Sequence, residues 1–339
     1  MKKELISFIR FYLTVPAFVL FTAIIGAILL RAVSASAYII KEEIPEDFTL
    51  LSFEDDFFPA DMLEELPVLS ENMHPIIRKT IRSDSNILNE TVYNLNEEEI
   101  LTYSPYYSFS ENEPLVLVLH THATECYFDP EQGMNLFYSN SSTTVDGYYD
   151  ENKVQTRTED REKNVVAVGH AFCEVLIKHG IPTLHCTELF DLEDYNTAYS
   201  SSARAIERYL EEYPSIKLVI DIHRDSLVFE NKAKVKTVAE DTNKNSAQVM
   251  IVAGSDAGGS VYPSWKRNLA LDLKIKEVMD DKYPSLSRPI FFRGARYNQH
   301  LAYSSFLLEI GTCANTLEEA VAAAGLSAEC VAEVINSCR

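Results

Sequence analysis

Apolar positions along the chain follow two periodicities that alternate. Four short stretches, 115–119, 216–222, 247–253 and 306–310, are almost continuously apolar. Runs of this length suit strands buried on both faces of a parallel sheet. Between them the spacing turns helical. Residues 164–179 carry apolar side chains at 165, 168, 172 and 176, and then Gly180 and Pro182 stop the pattern. In 201–213, Ile206, Tyr209, Leu210 and Tyr213 share one face before Pro214. Residues 265–283 align Trp265, Leu269 and Leu273, and 316–324 open with a capping box, Thr316 and Glu319. Strand and helix patterns in alternation predict a single α/β domain with a twisted, largely parallel central sheet covered by helices.

The first forty residues read differently. Lys2, Lys3 and Arg10 precede an uncharged run over 11–30, which Arg31 closes. Such a run, at ~1.5 Å per residue, spans the ~30 Å hydrocarbon core, and the leading basic residues favour a cytoplasmic amino terminus. A retained membrane anchor over 1–40 with the rest of the chain exported is the expectation. Ala35-Ser36-Ala37 resembles a signal-peptidase site and keeps cleavage as the alternative. Residues 41–111 hold 17 acidic against 4 basic residues, so −13 of the net −21 sits there. That stretch lacks sustained periodicity, and 41–112 is expected to be an acidic membrane-proximal stalk with local structure, leaving 113–339 as the catalytic domain. The overall charge excludes a phosphate-binding, nucleic-acid partner. Six cysteines (126, 173, 186, 313, 330 and 338) show no CxxC pair. In an exported domain Cys330 and Cys338 suggest a disulfide, with buried free thiols as the alternative.

Chemistry gathers behind the apolar runs. His120-Thr121-His122-Ala123-Thr124-Glu125 follows the first, His223-Arg224-Asp225 follows the second, and Glu309 sits near the end of the last. In open α/β sheets, sites lie outside the carboxyl ends of the strands. Two His and one Glu are good Zn²⁺ ligands that leave a position for water, and a further carboxylate can take that water's proton. His122, Glu125 and His223 are therefore candidate ligands and Glu309 the candidate base. A lone His-x-x-Glu is a weak signal, and Asp221 and Asp225 also suit a salt-bridge network at a strand end. Glu309 is harder to read as structural, because a buried carboxylate is costly unless paired or coordinated.

These residues carry a resemblance. Thr121 to Glu125, Asp221-Ile222-His223-Arg224-Asp225-Ser226, Arg296-Tyr297-Asn298-Gln299, Leu308-Glu309-Ile310-Gly311 and Asn315 to Ala320 resemble the stage II sporulation protein P family, in the family's order and over roughly 114–325. The resemblance implies a zinc amidase, phosphorylase/hydrolase-like in fold, that acts on peptidoglycan during engulfment in sporulation. The bond implied is the N-acetylmuramoyl-L-alanine amide, with room for a second activity on peptide cross-links. It also implies a lytic transglycosylase (stage II sporulation protein D) and a membrane recruitment protein as partners. The family's metal and base roles fall on His122, Glu125, His223 and Glu309, with Glu159 and Glu162 as fallback ligands. His120, Arg224, Asp225, Asn298 and Gln299 are expected to bind substrate or support the ligands. Arg224 suits a substrate carboxylate, an oxyanion or a pairing with Asp221, and Cys126 is a weak further ligand candidate. Thr312-Cys313-Ala314 and His300 depart from the family pattern, which has a Gly-rich segment and commonly Asp at those places. A zinc carboxypeptidase of wall peptides and a non-catalytic wall scaffold are the competing functions.

Overall fold

The structure, a computed structural model, describes residues 71–134, 138–139, 144–242 and 245–339. The anchor expected over 1–40 lies outside the described residues, as does the start of the stalk. In chain order the first elements are β1 (Met73–Lys79), β2 (Ile87–Asn89), α1 (Glu97–Leu101), β3 (Val116–Leu119), β4 (Gly133–Met134), β5 (Tyr138–Ser139) and β6 (Thr144–Asp150). Then come α2 (Val165–Lys178), β7 (Thr183–His185), α3 (Ala198–Glu212), β8 (Leu218–Asp225), β9 (Lys234–Thr237) and β10 (Val249–Gly254). The chain closes with α4 (Trp265–Lys282), β11 (Ile290–Arg293), β12 (Ser304–Thr312) and α5 (Leu317–Ser337).

Among the described residues the main sheet has seven strands in the order β2-β11-β10-β12-β8-β3-β7. Neighbours are parallel throughout except β10 with β12. The continuous apolar runs explain its centre: every residue of β3, β8, β10 and β12 is buried. Alternation along a strand then sorts side chains between two faces. Val116, Val118, Leu218, Ile220, Ile222, Phe306, Leu308 and Ile310 pack with residues of α2, α4 and α5. Leu117, Leu119 and Val219 pack with Ile206 of α3 on the other face. The largely parallel sheet covered by helices is therefore observed.

The helices start where the sequence signals them. Asn164 caps α2 through its side chain to Val166 N, and Thr316 with Glu319 forms a reciprocal capping box on α5. α5 runs on to Ser337, well past the predicted 324, because its apolar face continues through Leu326, Val331, Val334 and Ile335 against the core. β8 likewise continues through Asp225, so His223 and Asp225 lie within the strand and not beyond it.

The described part of 41–112 and the cysteines both have defined places in the fold. The described part of the 41–112 stalk is built into the fold. β2 extends the main sheet alongside β11, α1 buries Ile100, and Tyr107 is 1% exposed. β1 belongs to a smaller sheet ordered β4-β6-β1-β9, in which β1 is antiparallel to β6 and parallel to β9, with β5 also pairing β6. All six cysteines are free and buried, the reading offered beside a Cys330–Cys338 disulfide. Cys330 lies in α5 and Cys338 is its carboxyl cap. Eight residues along a helix separate the two Cα atoms by ~12 Å, beyond the ~7 Å a disulfide spans.

Candidate metal centre and active site

The site forms where the face carrying α3 meets the carboxyl ends of β3 and β8. Asp221, His223 and Asp225 alternate along β8 and so share one side, and in the β8–β12 ladder Glu309 is the register partner of His223. The turn after β3 brings in His122 and Glu125. Their backbone is pinned from below: Asp221 accepts hydrogen bonds from Thr121 N at 2.8 Å and Thr121 Oγ1 at 2.6 Å.

His122, Glu125 and His223 offer one ligand atom each within 4.8 Å of one another, and all three are buried. His122 Nδ1 lies 3.8 Å from Glu125 Oε1, and His223 Nδ1 lies 3.6 Å from Glu125 Oε2. These separations are long for hydrogen bonds. They are close to the ~3.3 Å that separates neighbouring ligand atoms about a tetrahedral ion with ~2.0–2.1 Å bonds. The donor set therefore fits Zn²⁺.

Electrostatics points the same way. Burial pushes the His122 imidazole down to about 3, so it is neutral at neutral pH and one ring nitrogen offers a lone pair. Burial would raise Glu125, but His223, Arg224 and His122 outweigh it and hold the carboxyl at about 2, ionised. Burial would depress His223, yet Asp221 at 3.0 Å from Nε2 and Glu125 raise it well above its usual value. The apoprotein thus keeps a positive charge on His223, among carboxylates, where a metal would supply one. Glu309 is pushed up to about 8, chiefly by burial, with His223 opposing and Asp225 and Glu125 reinforcing. One of its oxygens, Oε2, is buried with no hydrogen-bond partner among the described residues.

The remaining predicted residues separate by what they touch. Arg224 neither pairs with Asp221 nor faces open space. Its Nε donates to Cys126 O at 3.0 Å, Nη2 to Thr156 O at 3.0 Å and Nη1 to Asp225 O at 3.3 Å, while its backbone N donates to Glu125 Oε2 at 3.2 Å. It fastens the turn carrying Glu125 to β8. Asp225 is held by the buried Arg288, 2.8 Å from Nη2. His120 points to the opposite face, where Nδ1 donates to Ile222 O at 2.9 Å and Nε2 meets His185 Nε2 at 2.8 Å. There Gly169 of α2 permits the close approach, because a Cβ would sit 2.4 Å from the His120 ring.

Gln299, expected near substrate, instead brackets β10: it donates to Val252 O at 2.8 Å and accepts from Gly254 N at 2.9 Å. Asn298 donates to Tyr199 O at 2.8 Å and Ser202 Oγ at 3.1 Å, so its amide is used inside the protein. Glu159 and Glu162 are exposed and outside the ligand group. Cys126 turns its thiol to Gln155 O at 3.5 Å. His300 packs on Tyr262, 6.2 Å between centroids.

Sequence reasoning missed the aromatic wall. Tyr195 stacks on the His122 ring at 4.1 Å, and the Arg157 guanidinium lies over the Tyr195 ring, 4.3 Å from its centroid. Arg157 is anchored by Asp191 at 3.1 Å, which also accepts from Thr124 N and Oγ1. Tyr199 stands edge-on to His122 at 5.4 Å. Asp221 was legible only as a strand-end charge, whereas it is the carboxylate beside His223, the kind of partner that orients a ligating imidazole.

With this geometry in place, the comparisons are informative about family. The profile of the stage II sporulation protein P family matches residues 58–335, and the chain belongs to that family. The stage II sporulation protein P of Bacillus subtilis (strain 168) is 27% identical over 234 residues, 66% of this chain and 51% of that protein. The chain thus spans about half the length of that curated relative. Among solved structures, an N-acetylmuramoyl-L-alanine amidase of Nostoc punctiforme is 14% identical with a TM-score of 0.33, covering 68% of this chain and 98% of that one. The catalytic domain of an N-acetylmuramoyl-L-alanine amidase from Bacillus (Paenibacillus) polymyxa var. colistinus is 12% identical with a TM-score of 0.34, covering 66% and 97%.

Proposed function

We propose that this protein is a zinc-dependent peptidoglycan hydrolase that cleaves the amide between N-acetylmuramic acid and L-alanine during engulfment in sporulation. The observation that carries the reading is the buried His122–Glu125–His223 triad with Glu309 in register beside it. Zn²⁺, when bound, supplies a Lewis acid that acidifies water and polarises the amide carbonyl. His122, Glu125 and His223 would hold it, with Arg224 N and Asp221 fixing the orientation of Glu125 and His223.

Glu309 takes a proton from the attacking water. The water oxygen bonds to the lactyl carbonyl carbon, the carbon–nitrogen bond breaks, and the proton passes from Glu309 to the departing alanine nitrogen. The products are a carboxylic acid on the glycan and a free stem peptide. The carboxypeptidase alternative needs an arginine for the terminal carboxylate. Arg224 is not available for that, since three of its nitrogens meet backbone carbonyls. A scaffold would have no use for a buried carboxylate with an unpartnered oxygen.

The family membership favours a sporulation setting, and an anchor over 1–40 with an exported catalytic domain is part of the same proposal. The proposed partners are the transglycosylase and the membrane recruitment protein. Purified protein loaded with zinc and given isolated murein tests the reading. Release of intact stem peptides supports it; release of single carboxy-terminal residues, or no zinc bound at all, rejects it.

A further inference from the structure

Amide hydrolysis needs something to hold the carbonyl oxygen as charge develops on it, besides the base that activates water. None of the residues anticipated from sequence is free for this, because Arg224 is engaged with backbone and Asn298 with Tyr199 and Ser202. Tyr199 is free. Its hydroxyl is buried and has no hydrogen-bond partner among the described residues. A buried O–H without an acceptor is costly, which calls for an occupant.

The ring packs against two of the three candidate ligands. It stands edge-on to His122 (5.4 Å, 85°) and nearly parallel to His223 (6.5 Å, 14°). Tyr297 closes the other side at 6.1 Å.

Its position is also actively fixed. Tyr199 lies in the first turn of α3, and its carbonyl accepts from Asn298 Nδ2 at 2.8 Å and from Ser202 Oγ at 3.2 Å. Asn298 reaches it from a turn in which two consecutive non-glycine residues, Tyr297 (φ 48°) and Asn298 (φ 57°), adopt the left-handed conformation. Such backbone is strained in non-glycine residues and persists where the surroundings enforce it, commonly at active sites.

We propose that the Tyr199 hydroxyl is the donor that holds the scissile carbonyl oxygen as it becomes an oxyanion, with Asn298 as the residue that positions it. The inference rests on the amidase reading and names a catalytic residue for it. Tyr199 donates a hydrogen bond throughout and transfers no proton; the proton balance of the reaction stays with Glu309.

The test uses the zinc-loaded full chain, Tyr199→Phe, which keeps the ring packing, and Asn298→Ala. Two probes are measured by calorimetry: a muramyl dipeptide, and its phosphinate analogue with tetrahedral phosphorus in place of the lactyl carbonyl. For Tyr199→Phe, zinc content and muramyl dipeptide affinity are expected to match the parent, and the melting temperature to lie at or above the parent's, because an unpartnered buried hydroxyl is removed. Phosphinate affinity and kcat should both fall by ~10²-fold, as for loss of one oxyanion donor. Asn298→Ala should move the same two quantities in the same direction by less. If Tyr199→Phe binds the phosphinate as tightly as the parent, or turns over at the parent rate, the assignment is overturned while the amidase reading stands. A parent that cleaves no muramyl amide and binds neither probe overturns both.

Discussion

Glu309 and His223 are register partners on adjacent parallel strands, so the proposed base and a proposed ligand project side by side from one sheet face. The ligands come from β8 and the turn after β3, whereas Glu309 comes from β12. Metal retention and proton transfer are therefore separable by substitution. Glu309→Gln is expected to fold, hold about as much zinc as the parent and bind wall fragments, with turnover reduced by ~10²–10⁴. Zinc content, melting temperature and turnover measured on one preparation check this; loss of zinc would make Glu309 a ligand, and full activity would remove it from the chemistry.

Zinc uptake should depend on pH through His223. In the apoprotein Asp221 and Glu125 overcome burial and raise its pKa well above the ordinary value, so it carries a proton that a metal must displace. Affinity should accordingly rise between about pH 6 and about pH 8, with proton release on binding. Chelator competition across that range measures it. A flat profile would contradict the assignment, and His223→Ala should lose both metal and the pH dependence.

Asp272 is a liability inside α4. It is fully buried, neither oxygen has a partner among the described residues, and burial raises its carboxyl well above the usual range. The folded chain thus holds a proton that the unfolded chain releases at ordinary carboxylate pH. Stability is greatest below the unfolded pKa and declines as pH rises toward the folded one. Asp272→Asn should raise the melting temperature, more at about pH 8 than at about pH 5. An equal shift at both values, or a lower melting temperature at the higher one, would refute this.

Removing residues 71–112 should damage the fold. It strips β1, β2 and α1 and takes away the buried Ile77, Ile81 and Ile100, each worth about 1.5–3 kcal/mol of burial. Gln248 would also lose both of its hydrogen bonds to the Ile81 backbone, at 2.7 and 2.9 Å. A fragment of residues 113–339 is expected to melt lower and less cooperatively than one beginning at residue 71. Equal melting would restore the detachable stalk.

What was legible in the sequence was what single segments encode. The runs at 115–119, 216–222, 247–253 and 306–310 gave the middle of the main sheet because strands buried on both faces need no partner to be recognised. The candidate metal group His122, Glu125 and His223 followed, since these residues sit at or beside those strand ends. β1 escaped because only two of its seven residues are buried, and its parallel partner β9 lies far along the chain, with Ile76 opposite Lys234. Tyr195 and Tyr199 were invisible for a related reason. Only the placement of α3 brings them to His122, and nothing local to 195–199 announces it. Arg224 shows the converse: its type was informative, yet a guanidinium serves a backbone carbonyl as readily as a carboxylate.

The layered stack at His122 gives the site a direction. Tyr195 covers one face of that imidazole and Arg157 packs against Tyr195, so on that flank the triad is walled by protein. The proposed polymeric substrate therefore cannot approach the triad through that flank. A long strand arriving from one side presents its sugars and its peptides in a fixed sense, and reversed it would offer the wrong bond. Polarity of the polymer would then be read by where access is denied, before any contact chooses among its chemical groups.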